Sequence, residues 1–62
     1  MNITDEQREV LKKYGVEIFD NVNDTLLALD DKITEIGFNS DYSLNKTGLL
    51  LQLLYDKLYN QN

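Results

Sequence analysis

Carboxylates are the most numerous groups with chemistry to offer in this chain, and the densest set is Asp30-Asp31 with Glu35. A hard cation needs about six to eight oxygen ligands converging on it, yet Asp30 and Asp31 project about 100° apart on a helix and no second carboxylate-rich helix faces them. A solvated acidic face explains them without a metal. The stretch Asn39-Ser40-Asp41-Tyr42-Ser43-Leu44-Asn45 sets oxygen-bearing side chains on alternate residues, as a calcium loop does. It lacks the glycine that such a loop needs at its sixth position, where Leu44 stands, and the chelating glutamate at its twelfth, where Leu50 stands. Its expected role is turn and capping chemistry. Ser43 and Thr47 have no base within reach along the sequence, and Lys46-Thr47-Gly48 by itself is not a phosphate-binding loop. Tyr14, Tyr42, Tyr55 and Tyr59 offer stacking faces of the kind that hold single-stranded bases, but few cations flank them to grip a backbone. Core and rim positions account for them. The chain has no His and no Cys, so the usual general base, nucleophile and transition-metal ligands are missing. The expectation is a non-enzymatic protein with no catalytic residue, cofactor, metal or small-molecule substrate.

Composition narrows the partners. Asp and Glu number 11 against 6 Lys and Arg, a formal charge of −5, which disfavours a phosphate backbone or an anionic membrane surface as ligand. No apolar stretch approaches the ~18 residues of a membrane span, and Met1-Asn2-Ile3-Thr4-Asp5-Glu6 lacks the basic start of a signal peptide. A cytoplasmic location, including the cytoplasm of an infected host cell, is expected. With 62 residues, one domain is the limit, and a chain of this size buries only about 60% of its unfolded surface. No disulfide or zinc site staples it, so stability must come from well-packed helices or from association with another chain.

Zero Pro, three Gly and apolar residues at three- and four-residue steps predict an all-α fold. Thr4 with Gln7 reads as a capping box, and Asp5 and Glu6 suit the positive end of the helix dipole. On a wheel of about 100° per residue with Ile18 at zero, Leu11, Ile18, Val22, Leu26, Leu29, Ile33 and Ile36 fall within roughly 0–80°. On the opposite side, at roughly 200–260°, lie Glu6, Glu17, Asp20, Asp24, Asp31 and Glu35. Because the phase persists for about seven turns, one long helix over residues 5–36 is favoured. Weak helix formers stand against it: Gly15, Val16, Asn21, Val22, Asn23 and Thr25. A break near Gly15, or between Asn21 and Asn23 with Asn23 as a new N-cap, is the alternative. Gly37 suits the position just past the helix end, Phe38 to Asp41 suits a connection, and Ser40 suits the cap of a second helix over residues 41–59, with Asn60-Gln61-Asn62 frayed.

In that second helix, Leu44, Thr47, Gly48, Leu51, Leu54, Tyr55 and Leu58 form one stripe for docking, and Gly48 allows close backbone approach. Leu49, Leu50 and Leu53 lie on the far side, among Lys46, Lys57 and Asn60. Three leucines left in water forgo on the order of 1.5–3 kcal/mol each, so they predict an interface. The first helix would be about 48 Å long and the second about 28 Å, leaving apolar surface on the longer one that a two-fold partner could cover. The favoured arrangement is therefore a long helical hairpin that dimerises into an antiparallel bundle; the alternative is a three-helix monomer broken between Gly15 and Asn23. Val16 and Leu27 fall on the polar side and are expected to be exposed.

The C-terminal pattern Leu44-Asn45-x-x-Gly48-x-x-Leu51-Gln52-x-Leu54-Tyr55-Asp56-x-Leu58-Tyr59-x-Gln61-Asn62 resembles the ending of small uncharacterised helical proteins carried by phages and prophages of Gram-positive bacteria. Such a resemblance implies a mobile-element setting and a role in binding and modulating a larger protein. Leu11-Lys12-Lys13-Tyr14-Gly15 and Leu29-Asp30-Asp31-Lys32-Ile33 are similar to the YqgQ-like small proteins of Firmicutes. That likeness implies single-strand nucleic-acid binding, for which this chain lacks a basic face. Three functions follow as expectations. The first is a self-associating interaction module, with Leu49, Leu50 and Leu53 at the self-contact and Glu17, Asp20, Asp24, Asp31 and Glu35 facing a protein partner. The second is an acidic mimic of nucleic acid that blocks a DNA-handling protein. The third is a single-strand binder using the tyrosines with Lys12, Lys13, Lys46 and Lys57.

Overall fold

Thr4 opens the first helix as its spacing predicts. In the computed structural model, which describes residues 1–62, its hydroxyl accepts from the Gln7 N–H at 3.1 Å while the Gln7 side chain accepts from the Thr4 N–H at 3.0 Å. Three helices follow: α1 (Asp5–Lys13), α2 (Val22–Ile36) and α3 (Lys46–Gln61). The fold is all-α, and the single helix over 5–36 is not what forms.

The break lies at Gly15 and has a local cause. Gly15 adopts φ +73°, its N–H bonds the Lys12 carbonyl at 3.1 Å, and the next N–H, on Val16, reaches the Leu11 carbonyl at 2.8 Å. This pair of bonds is a Schellman ending, in which the residue after the glycine packs back on the last turn. Leu11 and Val16 are both buried there. Val16, expected on the polar side, is therefore a core residue, because leaving the helix turns its side chain inward.

From Val16 to Asp20 the chain runs outside any helix, and Asn21 begins α2. Its side chain accepts from the Asp24 N–H and donates to the Asp24 carboxylate, both at 2.8 Å. Asn21, not Asn23, is the cap. Fully buried Thr25 ties the linker down: its hydroxyl accepts from the Phe19 N–H at 3.0 Å and donates to the Asn21 carbonyl at 3.1 Å.

Gly37 caps the end of α2 with an ordinary negative φ. A tight loop follows, pinned by a bridge between Phe38 and Leu44 and by the Asn39 N–H donating to the Ser43 carbonyl at 2.7 Å, with Tyr42 at φ +68° near its tip. The second long helix starts five residues later than the sequence suggests, because Asn45 caps it in place of Ser40. Asn45 accepts from the Gly48 N–H at 2.7 Å, donates its side-chain amide to Ile36 at 2.9 Å, and donates its backbone N–H to Gly37 at 2.8 Å. One residue thus starts α3 and closes α2. Ser40 has no such second function.

α2 and α3 form the main helix pair, and Gly37 and Gly48 set their spacing. A methyl on Gly48 would overlap the Gly37 carbonyl oxygen and sit 2.9 Å from both the Gly37 carbonyl carbon and the Leu44 Cδ2. Here close approach is the reason for glycine. The core gathers Leu11, Val16, Leu26, Leu29, Ile33, Leu51, Leu54 and Leu58, with Ile18 and Tyr55 half-buried at its edge. The molecule measures 35 Å at its longest, short of the about 48 Å that the unbroken helix would need.

The C-terminus is not frayed. α3 continues to Gln61, whose side chain exchanges hydrogen bonds with that of Gln7 at 2.8 and 3.1 Å. Asn62 accepts from the Asn2 N–H at 2.8 Å and donates to the Asn2 carbonyl at 3.1 Å. A chain of amides therefore clasps the two termini, and α1 is laid along the C-terminal half of α3.

Candidate interaction surface

α3 has residues to spare once its docking stripe is used. Gly48, Leu51, Leu54 and Leu58 are buried against the core, which leaves the other side of the helix to solvent or to α1. Leu49, Leu50 and Leu53 remain 53%, 44% and 60% exposed. α1 comes part of the way over them. Val10 and Gln7 from α1 and Leu50, Leu53, Leu54 and Lys57 from α3 line one open groove, whose polar end is closed by the Gln7–Gln61 pair. The folded-back arm shades Leu50 and Leu53 without covering them, and Leu49 lies outside the groove.

Charge is distributed unevenly around this surface. α3 carries Lys46 and Lys57 against Asp56 alone, so ten of the chain's 11 carboxylates lie elsewhere. The exposed leucines consequently sit on the helix with the fewest carboxylates in an acidic protein.

The acidic residues do not form a single strip. Glu17 and Asp20 belong to the linker, whereas Asp24, Asp31 and Glu35 are carried by α2; all five are exposed. The break at Gly15 is the reason, since it removes the common helical phase that aligned them. Asp24 is engaged by Asn21, and Glu35 is paired with Lys32 at 3.3 Å. No group of three acidic side chains comes close enough together to hold a metal ion. In the Phe38–Leu44 loop, Asp41 accepts from the Ser43 hydroxyl at 2.6 Å and from the Ser43 N–H at 3.1 Å. These bonds, the hydroxyl first, hold the Asp41 carboxyl below the ordinary aspartate value of 3.8. Tyr42, beside it, is 88% exposed. Leu27 is exposed on α2, as its wheel position predicts, and no helix is long and apolar enough to cross a membrane.

The three-helix alternative, broken near Gly15 with the first segment folded back toward the outward leucines, fits this region, whereas the favoured straight helix does not; Leu11, Gly15 and Val16 together spell the Schellman ending that decides between them. The amide clasp carried no apolar signal at all; only the shared Asn and Gln character of residues 2, 7, 61 and 62 hints at it. Compared with family models, with curated proteins and with solved structures, the chain has no match.

Proposed function

We propose that this chain is a non-enzymatic interaction protein that pairs with a second copy of itself through Leu49, Leu50 and Leu53, and presents the α2 acids Asp24, Asp31 and Glu35 to a further protein. The observation that carries this reading is three neighbouring, half-exposed leucines on a helix with a single carboxylate, in a chain with charge −5. Two such chains repel at most approaches. Face-to-face contact of two α3 helices, antiparallel about a two-fold axis near Leu53, avoids that repulsion and sets leucine against leucine. The resemblance of the C-terminal third to small phage and prophage proteins supports a role in modulating a larger protein.

The magnitude favours a weak dimer. Burying the exposed half of each leucine is worth roughly 1 kcal/mol, or about 6 kcal/mol for the two copies together, against an association cost of about 4 kcal/mol or more. The net of about 2 kcal/mol puts Kd at roughly 30 mM, so sedimentation equilibrium should show one chain at about 10 µM and a mass that rises measurably only on approaching about 10 mM, and Leu53→Lys should abolish the rise. A one-chain mass throughout, or a dimer indifferent to Leu53→Lys, would refute the self-contact.

A further inference from the structure

The same residues that close α1 onto its own chain also fit an open form, and we propose that α1 is an exchangeable arm: it lifts at Gly15 and docks on α3 of a second copy, whose own α1 returns the contact. The α3 surface that the arm would take on a second copy is the one its own α1 already covers. Leu11 fills the cluster with Leu51, Leu54 and Leu58, and Gln7 pairs with Gln61. A second copy of α1 makes those same contacts, including the Asn2–Asn62 clasp, so exchange creates no new interface at that site.

Two features of the hinge make exchange accessible. Gly15 holds a left-handed φ of +73°, which a glycine can leave for helix as readily as it entered. Beyond it, Leu11, Ile18, Val22, Leu26 and Leu29 keep one helical phase straight through the linker, so residues 14–21 can join α1 to α2 with the apolar stripe intact. Ile18, half-buried in the closed form, enters that stripe, while Val16 turns to the polar side. The Val16–Leu11 contact and the Thr25–Phe19 hydrogen bond oppose opening. The closed chain is thus favoured at low concentration and the exchanged pair at high. Exchange shares with the proposed leucine contact only its partner, and does not use the outward leucines.

Gly15→Ala tests it, because alanine resists the left-handed conformation and prefers helix. The expected result is dimerisation tightened at least about tenfold, read by sedimentation, with 222-nm ellipticity raised by about a fifth as the linker becomes helical. Glu17 is exposed and its N–H makes no backbone hydrogen bond, so Glu17→Pro spares the closed form while forbidding a continuous helix. Gly15→Ala with Glu17→Pro should return to one chain and the original ellipticity. Gly15→Ala with Leu53→Lys should stay dimeric, which separates exchange from the leucine contact. A one-chain mass for Gly15→Ala, a dimer without added helix, a dimer that survives Glu17→Pro, or one lost with Leu53→Lys would overturn the proposal.

Discussion

Replacing Gly48 with alanine separates two physical arguments that predict opposite signs. Gly48 is the third residue of α3, and on helix propensity alone Gly→Ala in a helix stabilises by up to about 1 kcal/mol. The packing says otherwise. A methyl at this position would occupy the space of the Gly37 carbonyl oxygen, and that oxygen also accepts the Asn45 N–H at 2.8 Å. The Leu44 Cδ2 can move aside, but the nearest obstacle is the Gly37 carbonyl group, which is backbone at the end of α2. The helices must separate by something near an ångström, or the Asn45 bond must break. Overpacking of this kind costs about 1–3 kcal/mol, and losing a buried hydrogen bond about 1 kcal/mol more. Set against the propensity gain, the net destabilisation is about 2 kcal/mol. For a domain this small each kcal/mol moves Tm by about 4–8 °C, so a fall of about 10 °C is expected in a thermal melt followed by circular dichroism. Urea unfolding should show the midpoint falling at unchanged slope. An unchanged or raised Tm would mean that α2 and α3 do not cross at these glycines, and the position of the whole α3 face would have to be redrawn.

Thr25→Val, nearly isosteric, removes the hydroxyl that joins Phe19 to Asn21 and should cost about 1–3 kcal/mol in chemical denaturation, since the Phe19 N–H loses its partner at a buried site; a cost below a few tenths would refute the claim that Thr25 anchors the linker. Asp41 titrates below 3.8 because Ser43 donates to it twice, so its carboxylate supports the folded loop above the unfolded value and that support is lost as pH falls through the lowered one. In Ser43→Ala the Asp41 midpoint, followed by carboxyl-carbon NMR, should rise toward 3.8, and an unmoved midpoint would dismiss the hydrogen bond as its cause.

How far the fold could be read beforehand depended on which force held each element. The helical class, the Thr4–Gln7 box and the core stripe of Leu51, Leu54 and Leu58 were legible because residue type and spacing alone determine them. Gly48 was legible as a close-approach glycine because it stands in that stripe. The α3 start was not. Ser40, Ser43 and Asn45 are all competent caps, and only Asn45 also reaches Ile36 and Gly37 across the helix junction. That advantage is tertiary, and no local pattern records it.

The long-helix expectation failed for a more general reason. A conserved phase records which side chains favour burial, and it is silent on whether the backbone between them is helical. Leu11 and Leu26 are both buried in the folded chain, just as one unbroken stripe would have them, but the chain reaches that outcome by turning at Gly15 and laying α1 back along α3. Turning has an advantage that the straight rod lacks in a single chain: it places Leu11 in the core with Leu51, Leu54 and Leu58, sets Val10 beside Leu50 and Leu53, and draws Val16 into the core. It still leaves Leu49 and Leu53 more than half in solvent. An arm of nine residues can shade one side of a helix that is apolar on nearly all sides, and no more. What the arm leaves uncovered is the surface on which a second chain gains most, and the function proposed for this protein rests on that remainder.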